Sequence, residues 1–178
     1  MGLNLSRRFF AYLIDWYLGG LATAFPVAML SMSHFQSVTN QNIMAFPSPY
    51  NLAAGVLGIL CGILYYFAVP AFVWSGQTLG KRWMKLEIVS GDGSQVSVKQ
   101  LFLRQCIGMI LVEGSLVSAS ALLHQLLTVL TGIDFVKPLT YVGMALSIGS
   151  AVLILVKENR ALHDYMANTR VCHISEKR

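Results

Sequence analysis

The 178-residue chain has little charge. Only 12% of its residues are Asp, Glu, Lys or Arg, while 55% are hydrophobic. A soluble domain carries about 25% charge, and the apolar runs here are long enough to cross a bilayer. The shortage therefore excludes an ordinary soluble globular domain. Cysteine is also scarce: Cys61, Cys106 and Cys172 are an odd number without metal-ligand spacing. They read as small apolar fillers or free thiols, so neither a disulfide framework nor a metal centre is expected. Residues 33–51 contain no Lys, Arg, Asp or Glu at all, as befits a polar but uncharged loop between spans.

The formal net charge of +5 would point to nucleic acid in a soluble protein. Here the basic residues flank apolar runs, the arrangement that sets orientation in a membrane. The expected partner is thus the lipid bilayer and not nucleic acid. Two targeting signals are imitated. Ser6-Arg7-Arg8-Phe9-Phe10 looks like the start of a twin-arginine signal, but Asp15 interrupts the apolar region and no suitable cleavage site follows. Met1-Gly2 to Ser6 fits the permissive myristoylation pattern, yet one acyl chain adds little to a multi-span protein.

The chain is organised around Arg8–Pro26, an apolar run entered through Arg7 and Arg8 and holding one carboxylate, Asp15. Seven helical residues are about 700° of rotation, so Arg8 and Asp15 share a face about 10.5 Å apart along the axis. Ala11, Gly19 and Ala22 lie near that face. A carboxylate facing lipid costs roughly 2.5–3.5 kcal/mol near a helix centre. Small neighbours instead predict helix packing, with Asp15 in need of a partner.

Hydropathy predicts an all-α polytopic membrane protein formed as one domain over 1–178. Four spans are expected, at about 9–32, 52–74, 101–130 and 139–156, with Pro26 kinking or ending the first. Gly58 and Gly62 in the second form a G-x-x-x-G pair for close helix contact. Between the second and third spans lies an insert, 75–100. Strand alternation over 85–90, turn chemistry at Gly91-Asp92-Gly93-Ser94 and renewed alternation over 95–98 predict a small β-hairpin. The tail, 157–178, contains a strand-like stretch, 169–174, able to pair with that hairpin. Lys137 is the single basic residue on one side of this four-span arrangement; the other twelve of 13 lie opposite. Both termini and the insert are then cytoplasmic.

The third span carries Arg104, Glu113 and His124. On an α-helical wheel Glu113, Ser120 and His124 share a face, and Arg104, nine residues before Glu113, lies opposite. Arg104 and Glu113 are therefore expected to serve different neighbours. Glu113 has no evident cationic partner, and the His124 imidazole would stand about 16 Å further along the same helix. These two are the candidate ion or proton path.

Gly76-Gln77-Thr78-Leu79-Gly80-Lys81 imitates a phosphate loop. It has three residues between its glycines where Walker A has four, and Arg82 follows where Ser or Thr is needed. A tight turn leaving the second span is the better reading. His163 and Asp164 are sequence neighbours without a nucleophile constellation, which argues against catalysis and for capping.

Taken in order, these pieces resemble the RDD family of small integral membrane proteins. The resemblance rests on Arg8-x-x-Ala11-x-x-Ile14-Asp15, Gly76-x-Thr78-x-Gly80-Lys81, Arg104, and Ala161-Leu162-His163-Asp164 followed by Thr169-Arg170-Val171. It runs through nearly the whole chain. It makes Arg8, Asp15 and Asp164 the name-giving residues and groups them with Lys81 and Arg104 as a charged cluster. Asn168 departs from the pattern, standing where the family commonly has Gly, and Glu113 and His124 belong to no family motif. The resemblance implies a role in transport, with cation/proton antiport proposed for some members, and a location in a bacterial inner membrane.

Function then divides three ways. A cation or proton transporter, oligomeric because four helices make a thin pathway, comes first. A non-catalytic subunit that scaffolds or regulates a partner membrane protein comes second. A membrane enzyme comes last, for want of a nucleophile, metal or cofactor set. For Asp15 the structural alternative is a buried salt bridge with Arg104, or hydrogen bonds to the 76–81 turn, fixing helix register.

Overall fold

A computed structural model describes residues 5–114, 117–156 and 159–174. The first helix, α1 (Leu5–Phe35), buries Ala11, Asp15, Gly19, Thr23, Val27 and Ser31. These recur every fourth residue and are mostly small, so one narrow stripe admits close neighbours while Phe25 and Met29 stay exposed. Pro26 does not end the helix, which continues nine residues beyond it. A short 3-10 turn (Ile43–Ala45) follows, and Gln125 accepts a hydrogen bond from its Ile43 N–H at 2.8 Å.

Helix α2 (Tyr50–Ile63) continues as wider π-type turns over Leu64–Val73. This stretch contains Pro70, which has no N–H to give to an ordinary α turn. The G-x-x-x-G pair lies at a three-helix contact. Gly58 meets Leu122 and the Thr23 carbonyl, and Gly62 meets Ala119 and Thr23. Next come α3 (Leu79–Trp83), β1 (Leu86–Ser90) and α4 (Val98–Phe102). Helix α4 opens with Ser97, whose hydroxyl accepts from the Gln100 N–H.

From α4 the chain continues as π-type turns over Leu103–Val112 and leaves the helix at Glu113; helix α5 (Ser118–Thr131) begins after Val117, whose backbone is extended. The expected unbroken third span is thus two helical pieces, with residues 115 and 116 outside the described residues. Helix α6 (Val136–Val156), helix α7 (Leu162–Met166) and strand β2 (Thr169–His173) complete the order.

The small sheet corrects the hairpin expectation. Strand β1 pairs antiparallel with β2 from the tail, Leu86 opposite His173 and Ser90 opposite Thr169. The 95–98 segment contributes only an isolated bridge, Val89 to Gln95. Its place as a strand is lost because Ser97 caps a helix. This pairing puts the insert and the tail on the same side of the molecule.

Three buried apolar clusters follow one another along α1: Ala11 with Leu86, Ile88 and Leu101; Tyr65 and Tyr66 with Ile110 and Ala119; and Val27 with Ile43, Phe46 and Leu122. Outside them, large apolar side chains such as Phe72, Tyr141, Ile148 and Leu155 are exposed, a surface suited to lipid. Among the described residues three helices are long and apolar enough to cross a membrane: Leu5–Phe35, Tyr50–Val73 and Val136–Val156; Ser118–Thr131 is a shorter apolar helix.

Candidate functional site

Asp15 sits on the buried stripe of α1 with four donors around its carboxylate. Tyr65 Oη and the Gly80 N–H give to Oδ1 at 2.8 and 2.9 Å; Thr78 Oγ1 and Lys81 Nζ give to Oδ2 at 2.5 and 3.0 Å. The 76–81 turn builds most of this cradle. Gly76 has φ +67°, in the left-handed region, and a side chain there would strike the Ile88 carbonyl. At Gly80 a Cβ would collide with the Ala11 carbonyl and stand 2.9 Å from Asp15 Oδ1. Only glycine lets the turn close on α1. Burial pushes the Lys81 ammonium below its ordinary pKa, with the adjacent Asp15 carboxylate opposing that shift.

Asp164 forms a second centre and is fully buried. Its Oδ1 accepts from Arg104 Nε at 3.0 Å and Thr169 Oγ1 at 3.1 Å; its Oδ2 accepts from the Ala161 N–H at 3.0 Å and Arg8 Nη2 at 3.4 Å. The Ala161 bond caps α7. Arg8 also donates to the Asn159 carbonyl. Burial by itself would raise the Asp164 carboxyl, but Arg104, Arg8 and the Ala161 N–H outweigh it and hold the group well below the usual carboxylate range.

Glu113 forms the third centre, on the same side as Arg104 and not opposite it. His163 gives its backbone N–H to Oε1 at 2.7 Å, and its Nδ1 lies 2.9 Å from Oε2. Ser150 Oγ donates to Oε1 at 3.0 Å. The other ring nitrogen, Nε2, lies 3.1 Å from Arg104 Nη2. Arginine can only donate, so Nε2 accepts and Nδ1 carries the hydrogen given to Glu113. Arg104 and Glu113 thus share one imidazole. Nine residues make two and a half α turns but only about two of the wider π turns, which returns them to one side. Glu113 therefore has a histidine partner, and its contacts are with α7 and α6. His124 lies beyond the helix break, buried, with no partner for Nδ1 among the described residues. Ser120 bonds instead to the Ile110 carbonyl at 2.7 Å.

The charged cluster is thus divided: Asp15 with Lys81, and Asp164 with Arg8 and Arg104. His163, Tyr65, Ser150 and Thr169 complete it, and sequence reasoning had not placed them there. For His163 and Thr169 the one signal was their place in the stretches that carry the family resemblance; a tyrosine in an apolar span and a hydroxyl on a helix give none.

A cavity of about 770 Å³ lies beside this network. Phe9, Tyr12 and Trp16 of α1 and Ala151, Ile154 and Leu155 of α6 line it, together with Arg8, Asp15, Lys81, Arg104 and Glu113. The α1 aromatics are exposed whereas Asp15, Arg104 and Glu113 are buried, so the apolar walls stand at the outer surface and those three charges lie deeper. No group of three or more His, Cys, Asp and Glu side chains arranged to hold a metal occurs among the described residues.

The RDD family profile matches residues 4–168. The chain belongs to the RDD family. This RDD protein is also similar to "Uncharacterized protein YckC" of Bacillus subtilis (strain 168), at 35% identity over 112 residues, covering 62% of this chain and 56% of that protein. The chain thus spans about half the length of that relative. No solved structure matches it. Of the positions on which the resemblance rests, Arg8, Asp15, Thr78, Gly80, Lys81, Arg104 and Asp164 help to build the two carboxylate centres. Glu113 and His163 add a third centre joined to them through Arg104.

Proposed function

We propose that this RDD protein is a component of cation or proton transport in a bacterial inner membrane. It crosses the bilayer four times with both termini cytoplasmic, works as an oligomer and is not an enzyme. The observation that carries this reading is the Glu113–His163–Arg104 chain at a break between two helical pieces, beside a cavity. Backbone that leaves helical geometry at membrane depth is tolerated where protein or a cavity satisfies it, and transporters place ion sites at such breaks. Here the third crossing consists of α4 with its π-type turns, then α5. A proton delivered to Glu113 Oε2 removes the acceptor for His163 Nδ1–H. Rearrangement of that imidazole would in turn free Arg104 Nη2 while Nε stays on Asp164, a route from one titration to a neighbouring charge.

Purified protein in proteoliposomes tests this. A pH gradient should drive cation or proton flux in the wild type, and Glu113→Gln should abolish it while the protein stays folded. Absence of wild-type flux would remove the proposal. A reporter inserted near Asn40 should read external and one after Arg178 cytoplasmic; the reverse for both would overturn the orientation.

A second reading, a non-catalytic subunit that scaffolds or regulates a partner, is favoured by the completeness of bonding around Asp15 and Asp164. Carboxylates so fully occupied act as locks. Co-purification of one membrane partner at fixed stoichiometry, with no flux from the protein alone, would select it.

A further inference from the structure

We infer that the cleft between α1 and α6 binds an anionic phospholipid from the surrounding bilayer, with an acyl chain between the two helices and the phosphate at the Ser6–Arg8 end. The inference stands apart from transport: it concerns what occupies the cavity, whether or not anything crosses.

Size limits the occupant first. A spanning helix about 10 Å across and 30 Å long displaces roughly 2,400 Å³, far more than the cavity of about 770 Å³. A second copy of this chain or a partner helix therefore does not fit within it. The volume does suit a single amphiphile, since small-molecule sites run to about 300–1,000 Å³.

Chemistry then selects the kind of amphiphile. The walls are apolar and open on the exposed hydrophobic surface: Phe9, Tyr12 and Trp16 face Ala151, Ile154 and Leu155. In a bilayer such a cleft is in contact with acyl chains. The mouth at the start of α1 is cationic. Ser6 and Arg8 line it, Arg7 is adjacent, and the first described turn of α1 carries no acidic residue. Arg8 also shares its carboxylate partner with a second guanidinium. Among the described residues Arg8 meets one carboxylate oxygen, Asp164 Oδ2 at 3.4 Å, besides the Asn159 carbonyl, and Asp164 is shared with Arg104, which holds Oδ1 at 3.0 Å. Two guanidinium groups thus face one carboxylate. A phosphate diester supplies acceptors that match an arginine fork, and its tethered chain accounts for the apolar walls. A free phosphate accounts only for the mouth.

The full-length protein, purified and delipidated in detergent, should be offered dioleoyl phosphatidylglycerol, dioleoyl phosphatidylcholine or glycerol 3-phosphate and examined by native mass spectrometry. The first should be retained at one per chain; the zwitterionic lipid and the soluble headgroup should be lost. Ala151→Trp, which fills the cleft without touching the charges, should lose the phosphatidylglycerol at unchanged thermal stability. Arg8→Gln should reduce its retention to the phosphatidylcholine level. Equal retention of both lipids by the wild type, binding of glycerol 3-phosphate alone, or undiminished phosphatidylglycerol on Ala151→Trp would each overturn the inference. No ion gradient is present in these measurements, so their failure is distinguishable from failure of the transport reading.

Discussion

Lys81 Nζ lies 3.0 Å from Asp15 Oδ2, across 66 residues of sequence, and also donates to Thr78 Oγ1 at 3.2 Å. This pair ties the 75–100 insert to the buried stripe of the first helix. Both side chains are largely withdrawn from solvent, so the charges compensate one another where water cannot.

Removing one member should therefore cost more than removing both. Asp15→Asn leaves the Lys81 ammonium uncompensated and turns an amide N–H₂ toward existing donors. The expected loss is about 3–5 kcal/mol, typical of breaking a buried pair. Combining Asp15→Asn with Lys81→Met should recover part of it. Thermal unfolding of the two single variants and the double variant in one detergent checks this; additive losses would show that the ion pair does not couple the residues.

Gly80→Ala should destabilise although it adds only a methyl group. The new Cβ meets the Ala11 carbonyl and the Asp15 carboxylate, neither of which is the free end of a flexible side chain. Overpacking of this kind costs about 1–3 kcal/mol. Gly149, in α6, has nothing within 4 Å of a built Cβ, so Gly149→Ala is the matched control and should leave the unfolding temperature unchanged or raised.

The Asp164 carboxyl makes stability depend on pH. Its folded-state pKa is depressed below the ordinary value, so its contribution is fully present above the unfolded pKa of about 3.9. It is lost progressively as pH falls below that value toward the folded one. Unfolding temperature should be insensitive to this group from neutral pH to about 5 and fall in more acid solution. Asp164→Asn should be less stable at neutral pH and show a flatter acid profile. Equal acid slopes for the two proteins would rule out Asp164 as the source.

Glu113→Gln should not be silent. Glu113 accepts from Ser150 and from both the backbone N–H and Nδ1 of His163. A glutamine must present its N–H₂ to one of these donors, and an unmatched buried polar group costs about 1–3 kcal/mol. His163→Gln in the same background should restore part of the loss, because the amide oxygen and nitrogen can then be matched. Stability equal to wild type in Glu113→Gln would mean that the Glu113–His163 contact contributes nothing.

The sequence by itself determined the membrane character, the apolar helices and the need of Asp15 for company. These follow from composition, run length and the cost of a lone charge in an apolar setting, all properties of local sequence. It also marked the 76–81 turn, because glycine spacing and a following Lys-Arg pair are written in consecutive residues. Tertiary structure decided the partners. Strand β1 could have paired with 95–98 on local alternation, but Ser97 caps a helix and β2 brings a longer antiparallel edge from the tail. Arg104 and Glu113 stand on opposite faces of an α-helix and on one side of the wider π turns, which a wheel with a fixed period cannot show. His163 joins them because α7 packs against those turns, with Gly108 admitting the histidine backbone. Which cation meets which carboxylate depends on distances between segments far apart in the chain, and those exist only once the helices have packed.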